Sequence, residues 1–165
     1  WNQLLKQLSE SKPDVIVLGY GTAASLPGGS PPDEFRASLA RLLDEAPKAT
    51  GKQTRFLILG IPPSANNGRP VIEVILSETA TQRNIPFVSM KDLAKDPSHF
   101  QNPIHLTDDG YKAAARIIEN ALGWQPKPWD KGNQAEILRQ HILRKNDWFF
   151  HRSRPANMAF IFGFR

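Results

Sequence analysis

Three short apolar runs constrain what this chain can fold into. Val15-Ile16-Val17-Leu18-Gly19, Arg55-Phe56-Leu57-Ile58-Leu59-Gly60 and Ile85-Pro86-Phe87-Val88 are too short for helices and rich in large or β-branched apolar side chains. They are continuous rather than alternating, which predicts strands buried on both faces of a parallel sheet. The proline in the third run marks a strand start or an edge. Helical patterns lie between them. Residues 2–11 place Leu4, Leu5 and Leu8 on one face. Asp33 is positioned to cap a helix carrying Phe35, Leu39, Leu42 and Leu43, ended by Pro47 and Gly51. Pro70 suits the first turn of a third helix, carried through Val71, Val74, Ile75 and Glu78 to Ala80, as far as about Arg83. Gly21 to Ser30, around Pro27-Gly28-Gly29, reads as loop. The order α-β-α-β-α-β-loop-α predicts an α/β fold with a parallel sheet and helices on both faces. In such a sheet ligands bind beyond the carboxyl ends of the strands. Gly19-Tyr20-Gly21-Thr22 and Gly60-Ile61-Pro62 both fall there.

The fourth element brings the chemistry. Asn102-Pro103-Ile104-His105-Leu106-Thr107-Asp108-Asp109-Gly110-Tyr111 places a histidine immediately before a well-signalled helix. The Thr107 hydroxyl can cap that helix, and Asp108 and Asp109 sit where its dipole favours negative charge. Ala113, Ala114, Ala115, Ile117, Ile118 and Leu122 carry it to Gly123, a good terminator. A histidine mounted this way has the fixed seat a general base needs. The bland alternative is a loop histidine packed on Tyr111.

Charge divides the chain. Residues 1–123 hold 13 Lys+Arg against 13 Asp+Glu, whereas residues 124–165 hold 8 against 3 and supply the whole net charge of +5. The composition also changes there. Trp124-Gln125-Pro126-Lys127-Pro128-Trp129 reads as a connector, Gln134 to Lys145 as a helix with Ile137, Leu138 and Ile142 on its apolar face, and Trp148-Phe149-Phe150 opens an aromatic run. The expected organisation is an α/β domain over 1–123 and a basic, Trp/Phe-rich extension over 124–165. The extension's charges are dispersed and accompany no nucleic-acid motif, so they read as a solvated basic face. There is no cysteine, which excludes disulfides, thiol nucleophiles and cysteine metal sites. No apolar run is long enough to span a bilayer. Both ends, Trp1-Asn2-Gln3 and Phe160-Ile161-Phe162-Gly163-Phe164-Arg165, read as cuts, so a fragment of a longer protein is expected.

Taken together, Val15 to Gly123 resemble the later two-thirds of the SGNH hydrolases, or GDSL esterases. Pro13 to Thr22 resembles the strand and turn before that family's Gly-x-Asn-Asp block. Gly60-Ile61-Pro62-Pro63 resembles the loop after the next strand. Ile104-His105-Leu106-Thr107-Asp108-Asp109-Gly110-Tyr111 resembles the block carrying the catalytic histidine, and it is the most specific match. Phe149 to Asn157 resembles the extension of a bacterial branch. The resemblance implies a three-layer α/β/α, flavodoxin-like architecture and hydrolysis of acyl esters, acetyl or short-chain esters of carbohydrates among them. It implies no cofactor and no metal, and export or a periplasmic setting.

The chain departs from that pattern at the nucleophile, the oxyanion donor and the triad acid. The family's serine lies in a Gly-Asp-Ser block on a strand that would precede Trp1, and Ser25 lacks the context of a nucleophile elbow. Ala23 stands where the family has an oxyanion-donating asparagine, with Asn66 and Asn67 as conceivable substitutes. Asn102 stands where the family often has the triad aspartate, with Asp96 or a backbone carbonyl as stand-ins. The mechanism implied has the upstream serine attacking the ester while His105 takes and returns its proton. Asn102 orients His105, and the turn at Gly21, Thr22 and Ala23 faces the oxyanion. His99, His141 and His151 lie too far apart, in unlike contexts, for a metal set. Gly19-Tyr20-Gly21 lacks the third glycine of a dinucleotide fingerprint. The rival readings are a glycan-binding module with a weakened esterase site, favoured by Ala23 with Asn102, and an anionic-surface or nucleic-acid binder acting through the basic extension.

Overall fold

A computed structural model describes residues 1–63, 70–102, 104–124 and 133–153. The chain divides into two units, Trp1–Trp124 and Gln125–Arg165. In the first, the helices are α1 (Asn2–Ser11), α2 (Thr22–Ser25), α3 (Pro32–Thr50), α4 (Pro70–Gln82) and α5 (Asp108–Ala121), with strands β1 (Val15–Leu18), β2 (Arg55–Leu59) and β3 (Phe87–Val88). The strands form one parallel sheet in the order β1-β2-β3. Val15 pairs with Arg55, Leu18 with Ile58, and Leu59 with Val88. The mixed α/β fold with a small parallel sheet agrees with the sequence pattern.

The pleat sorts the core. Successive strand residues point to opposite faces. Leu18 and Ile58 pack on one face against Phe35, Leu39 and Leu43 of α3 and Ile72, Ile75, Leu76 and Ala80 of α4. Leu57 and Val88 pack on the other with Met90, Leu93 and Leu106, against partly buried Ala113, Ala114, Ile117 and Ile118 of α5. The helices show why they form where they do. Pro32 opens α3, where its missing N–H is no loss, and Asp33 and Glu34 follow in the first turn. Buried Phe35, Leu39, Leu43, Ala46 and Thr50 then recur every three or four residues along one face. Gly51, at φ 66°, ends α3 in the left-handed conformation that glycine adopts without strain. Asn84 does the same after α4 at φ 54°, and the Ile85 N–H closes the turn on the Ala80 carbonyl at 2.8 Å.

Several local expectations are corrected. β1 is not buried on both faces: Val15 is 45% and Val17 53% exposed, because α5 packs against β3 and β1 is the edge strand on the far side of β2. Residues 22–25 form a one-turn helix rather than loop. Asp33 lies inside α3, whose cap position is Pro31. Pro47 does not end α3 but sits within it, three residues before its end. On α4 the core face is Ile72, Ile75, Leu76, Thr79 and Ala80, while Val71 and Val74 are exposed. The segment before His105 contains two 3-10 turns, Lys91–Lys95 and Pro97–His99.

The second unit contains α6 (Asn133–Ser153), longer than the predicted 134–145. Arg139 pairs with Glu136 at 2.7 Å, and the Arg144 guanidinium lies 5.0 Å from the Trp148 ring centroid. Ile137, Leu138, Ile142, Trp148, Phe149 and Phe150 are all exposed. Among the described residues no helix is long and apolar enough to cross a membrane. The predicted connector after Trp124, and the segment beyond Ser153, lie outside the described residues.

Candidate functional site

His105 sits in a small closed hairpin. Phe100 and Leu106 form an isolated antiparallel bridge. The Gln101 N–H donates to the His105 carbonyl at 2.9 Å, and the Thr107 N–H to the His99 carbonyl at 2.9 Å. Leu106 anchors the return strand in the core at 8% exposure. The Thr107 hydroxyl does two things at once. It donates to the Ser98 carbonyl at 2.9 Å and accepts the Gly110 N–H at 3.2 Å, capping α5. Gly110 is buried so tightly against this hairpin that a Cβ there would overlap the His99 carbonyl.

Within the hairpin, Asn102 organises His105. Its side-chain oxygen accepts the backbone N–H groups of Ile104 and His105, both at 2.9 Å. Those backbone donors identify the facing atom as oxygen, so the contact with His105 Nδ1 at 3.0 Å requires a proton on Nδ1. The neutral imidazole then keeps its lone pair on Nε2. That is the tautomer a general base needs. The amide carries no charge, so it orients the ring without stabilising an imidazolium electrostatically. His105 and Asn102 are both exposed. Tyr111 is 58% exposed, so no buried tyrosine packs the histidine away.

Asp96 does not take the orienting role. Its carboxylate accepts the Ser98 N–H at 2.9 Å and lies 3.9 Å from His99 Nε2, and the Ser98 hydrogen bonds hold its pKa below the ordinary 3.8. His99 is in turn tied to the Leu93 carbonyl through Nδ1 at 3.1 Å. Among the described residues no group of three or more metal-binding side chains is gathered.

The turn after β1 is built separately. Gly21 is buried at φ 118°, where an L side chain is strained, and precedes α2. A Cβ there would lie 3.2 Å from Ile72 Cγ2 and from Phe35 Cζ, and 3.4 Å from Ile61 Cδ1. Thr22 is half-buried and Ala23 exposed. The N–H groups that open α2 have no carbonyl partner within that helix. Ser25 is 5% exposed and its hydroxyl donates to the Thr22 carbonyl at 2.7 Å, so it is closed off as a nucleophile. Tyr20 stacks on Phe35 with ring centroids 5.1 Å apart. The structure thus joins Asn102 to His105 directly. Gly21, Thr22 and Ala23 belong to a turn that packs on α4, while the His105 hairpin leads into α5, which packs on the two 3-10 turns and β3. Asn66 and Asn67 lie outside the described residues.

Sequence reasoning missed Glu73. In the first turn of α4, its Oε2 accepts the Ile61 N–H at 2.7 Å. Nothing in the local pattern distinguishes it from an ordinary first-turn acid, which the helix dipole favours in any case. Comparison with protein-family models finds no match to this chain, and comparison with curated proteins finds none either.

Proposed function

We propose that this chain is the histidine-bearing part of an SGNH-type ester hydrolase with a three-layer α/β/α body. The observation that carries the reading is the Asn102–His105 pair, which fixes the imidazole with its Nε2 lone pair available as a base. The reaction is acyl transfer to water. A serine supplied from outside these 165 residues attacks the ester carbonyl, His105 takes its proton and returns it to the leaving alcohol, and water repeats the cycle on the acyl-enzyme. The substrate class is a small acyl ester, acetyl or short-chain esters of carbohydrates first. The edge position of β1 supports the external serine: among the described residues no strand pairs with its outer side, which leaves its backbone groups there for a further strand to add. The backbone N–H groups around Gly21 to Ala23 would face the oxyanion. With alanine at 23 the side-chain donor is missing, and such a loss reduces turnover by about 10²–10³-fold in enzymes where one donor was removed.

The test is hydrolysis of 4-nitrophenyl acetate and acetylated oligosaccharides by the natural full-length protein and its His105→Ala variant. Turnover that falls by about 10³-fold or more in the variant supports the reading. Turnover that survives the substitution, or hydrolysis by the isolated 165-residue chain, overturns it. A second reading, a glycan-binding module of the same fold, is favoured by Ala23, which offers no side-chain donor, together with the uncharged Asn102 beside His105. It predicts saturable binding of oligosaccharides by a protein whose ester turnover is absent.

A further inference from the structure

We propose that Glu73 is a positioning residue that holds the turns after β1 and β2 in a single arrangement; its activity readout rests on the esterase reading. Three features of the fold meet at this carboxylate. Its Oε2 takes the Ile61 N–H at 2.7 Å, fixing the backbone where the chain leaves β2. The Ile61 side chain lies against Gly21, where a Cβ would be 3.4 Å from Ile61 Cδ1 and 3.2 Å from Cγ2 of Ile72, Glu73's neighbour on α4. Gly60 makes room for the carboxylate, since a Cβ there would come within 2.7 Å of Glu73 Oε1. The first turn of α4 therefore touches the turn after β1 through Ile72 and the turn after β2 through Glu73. Both turns lie at the carboxyl ends of parallel strands, where α/β sheets bind their ligands.

The second carboxylate oxygen sharpens the inference. Among the described residues Oε1 is buried without a hydrogen-bond partner. A buried carboxylate oxygen with no donor is unfavourable, so the group is not there for stability alone. A glutamine could keep the bond to Ile61 through its amide oxygen. That bond is what positions the turn.

The experiment compares Glu73→Ala, Glu73→Gln and Glu73→Asp in the full-length protein, reading 4-nitrophenyl acetate hydrolysis and amide hydrogen exchange at Ile61 and Gly21. Glu73→Ala is expected to lower kcat about tenfold with KM little changed, because a displaced turn loses transition-state contacts rather than substrate affinity. Glu73→Gln is expected to keep kcat within about twofold, since its amide oxygen accepts the same N–H. Glu73→Asp, one methylene too short, is expected to behave as alanine does, and it carries the comparison if Glu73→Ala does not fold. Exchange at Ile61 and Gly21 should quicken in the alanine and aspartate variants and not in the glutamine one. Wild-type kcat in Glu73→Ala, or equal impairment in Glu73→Gln, overturns the proposal. If the wild-type protein hydrolyses no ester, the esterase reading fails on its own. The exchange data then decide: quickening at both amides supports the positioning role, and an unchanged Gly21 refutes it.

Discussion

Single residues set the geometry of the histidine hairpin, and Gly110 carries the sharpest consequence. Its Cα packs against the His99 carbonyl with no space for a methyl group. Gly110→Ala must push α5 away from the hairpin or open the bridge between Phe100 and Leu106. The expected destabilisation is about 1–3 kcal/mol, the usual range for overpacking a closed site. Urea unfolding of the variant against the wild type measures it, and an unchanged midpoint would show that the hairpin gives way freely. Asn102 works differently. One side-chain oxygen organises two backbone N–H groups and the imidazole, so its loss frees the loop and the ring together. An aspartate there would keep the acceptor and add the charge that a histidine general base normally has beside it.

Helices impose a choice of face, and α4 shows how sharply. Ile75 is 1% exposed and its neighbour Val74 is 47% exposed, so two adjacent apolar residues have opposite roles. Ile75→Ala should cost about 2–5 kcal/mol through lost burial and the cavity left behind. Val74→Ala should stay within about 0.5 kcal/mol, as surface substitutions do. Equal effects in denaturant titrations would mean the helix packs by a different face. α3 makes the related point about termination. Pro47 lies within the helix, which continues to Thr50 and stops only where Gly51 adopts φ 66°. Thr50 is 2% exposed, and its hydroxyl bonds to the Pro47 carbonyl at 3.0 Å, so the last turn keeps a side-chain bond of its own.

Across the first unit, ion pairs join distant parts of the chain at the surface. Lys52 meets Asp14 at 2.6 Å and Arg83 meets Asp44, while the Trp1 indole N–H donates to Glu45, which also holds Arg41 at 2.8 Å. These partners hold the carboxyl groups of Asp14 and Asp44 below the ordinary 3.8, and that of Glu45 below 4.5. A carboxyl group with a lower pKa when folded adds stability above its unfolded pKa and loses it as the pH falls through the folded value. Stability should therefore be flat above about pH 5 and decline below about pH 4. The decline should be modest, because the pairs are solvent-exposed and screened, and smaller still at high salt. Urea midpoints at pH 7, 5 and 3 test this. A midpoint that rises on acidification would contradict the assignment.

The sequence by itself determined the main elements and their order. Continuous apolar runs, proline at the first turn of α4, Thr107 before α5 and Gly51 after α3 are local signals, and the structure places those strands and helices accordingly. The pairing of Asn102 with His105 was reached through the resemblance, which implies an orienting residue three positions before the histidine. Tertiary structure decided the rest. Which valines of β1 are covered depends on how far α5 reaches across the sheet, and which face of α4 is buried depends on where α3 and β2 lie. Glu73 acquires its role only when α4 folds back on the end of β2, bringing its carboxylate to a backbone N–H twelve residues away. Periodicity records that a helix has an apolar stripe, but a contact across elements depends on positions that no local pattern encodes.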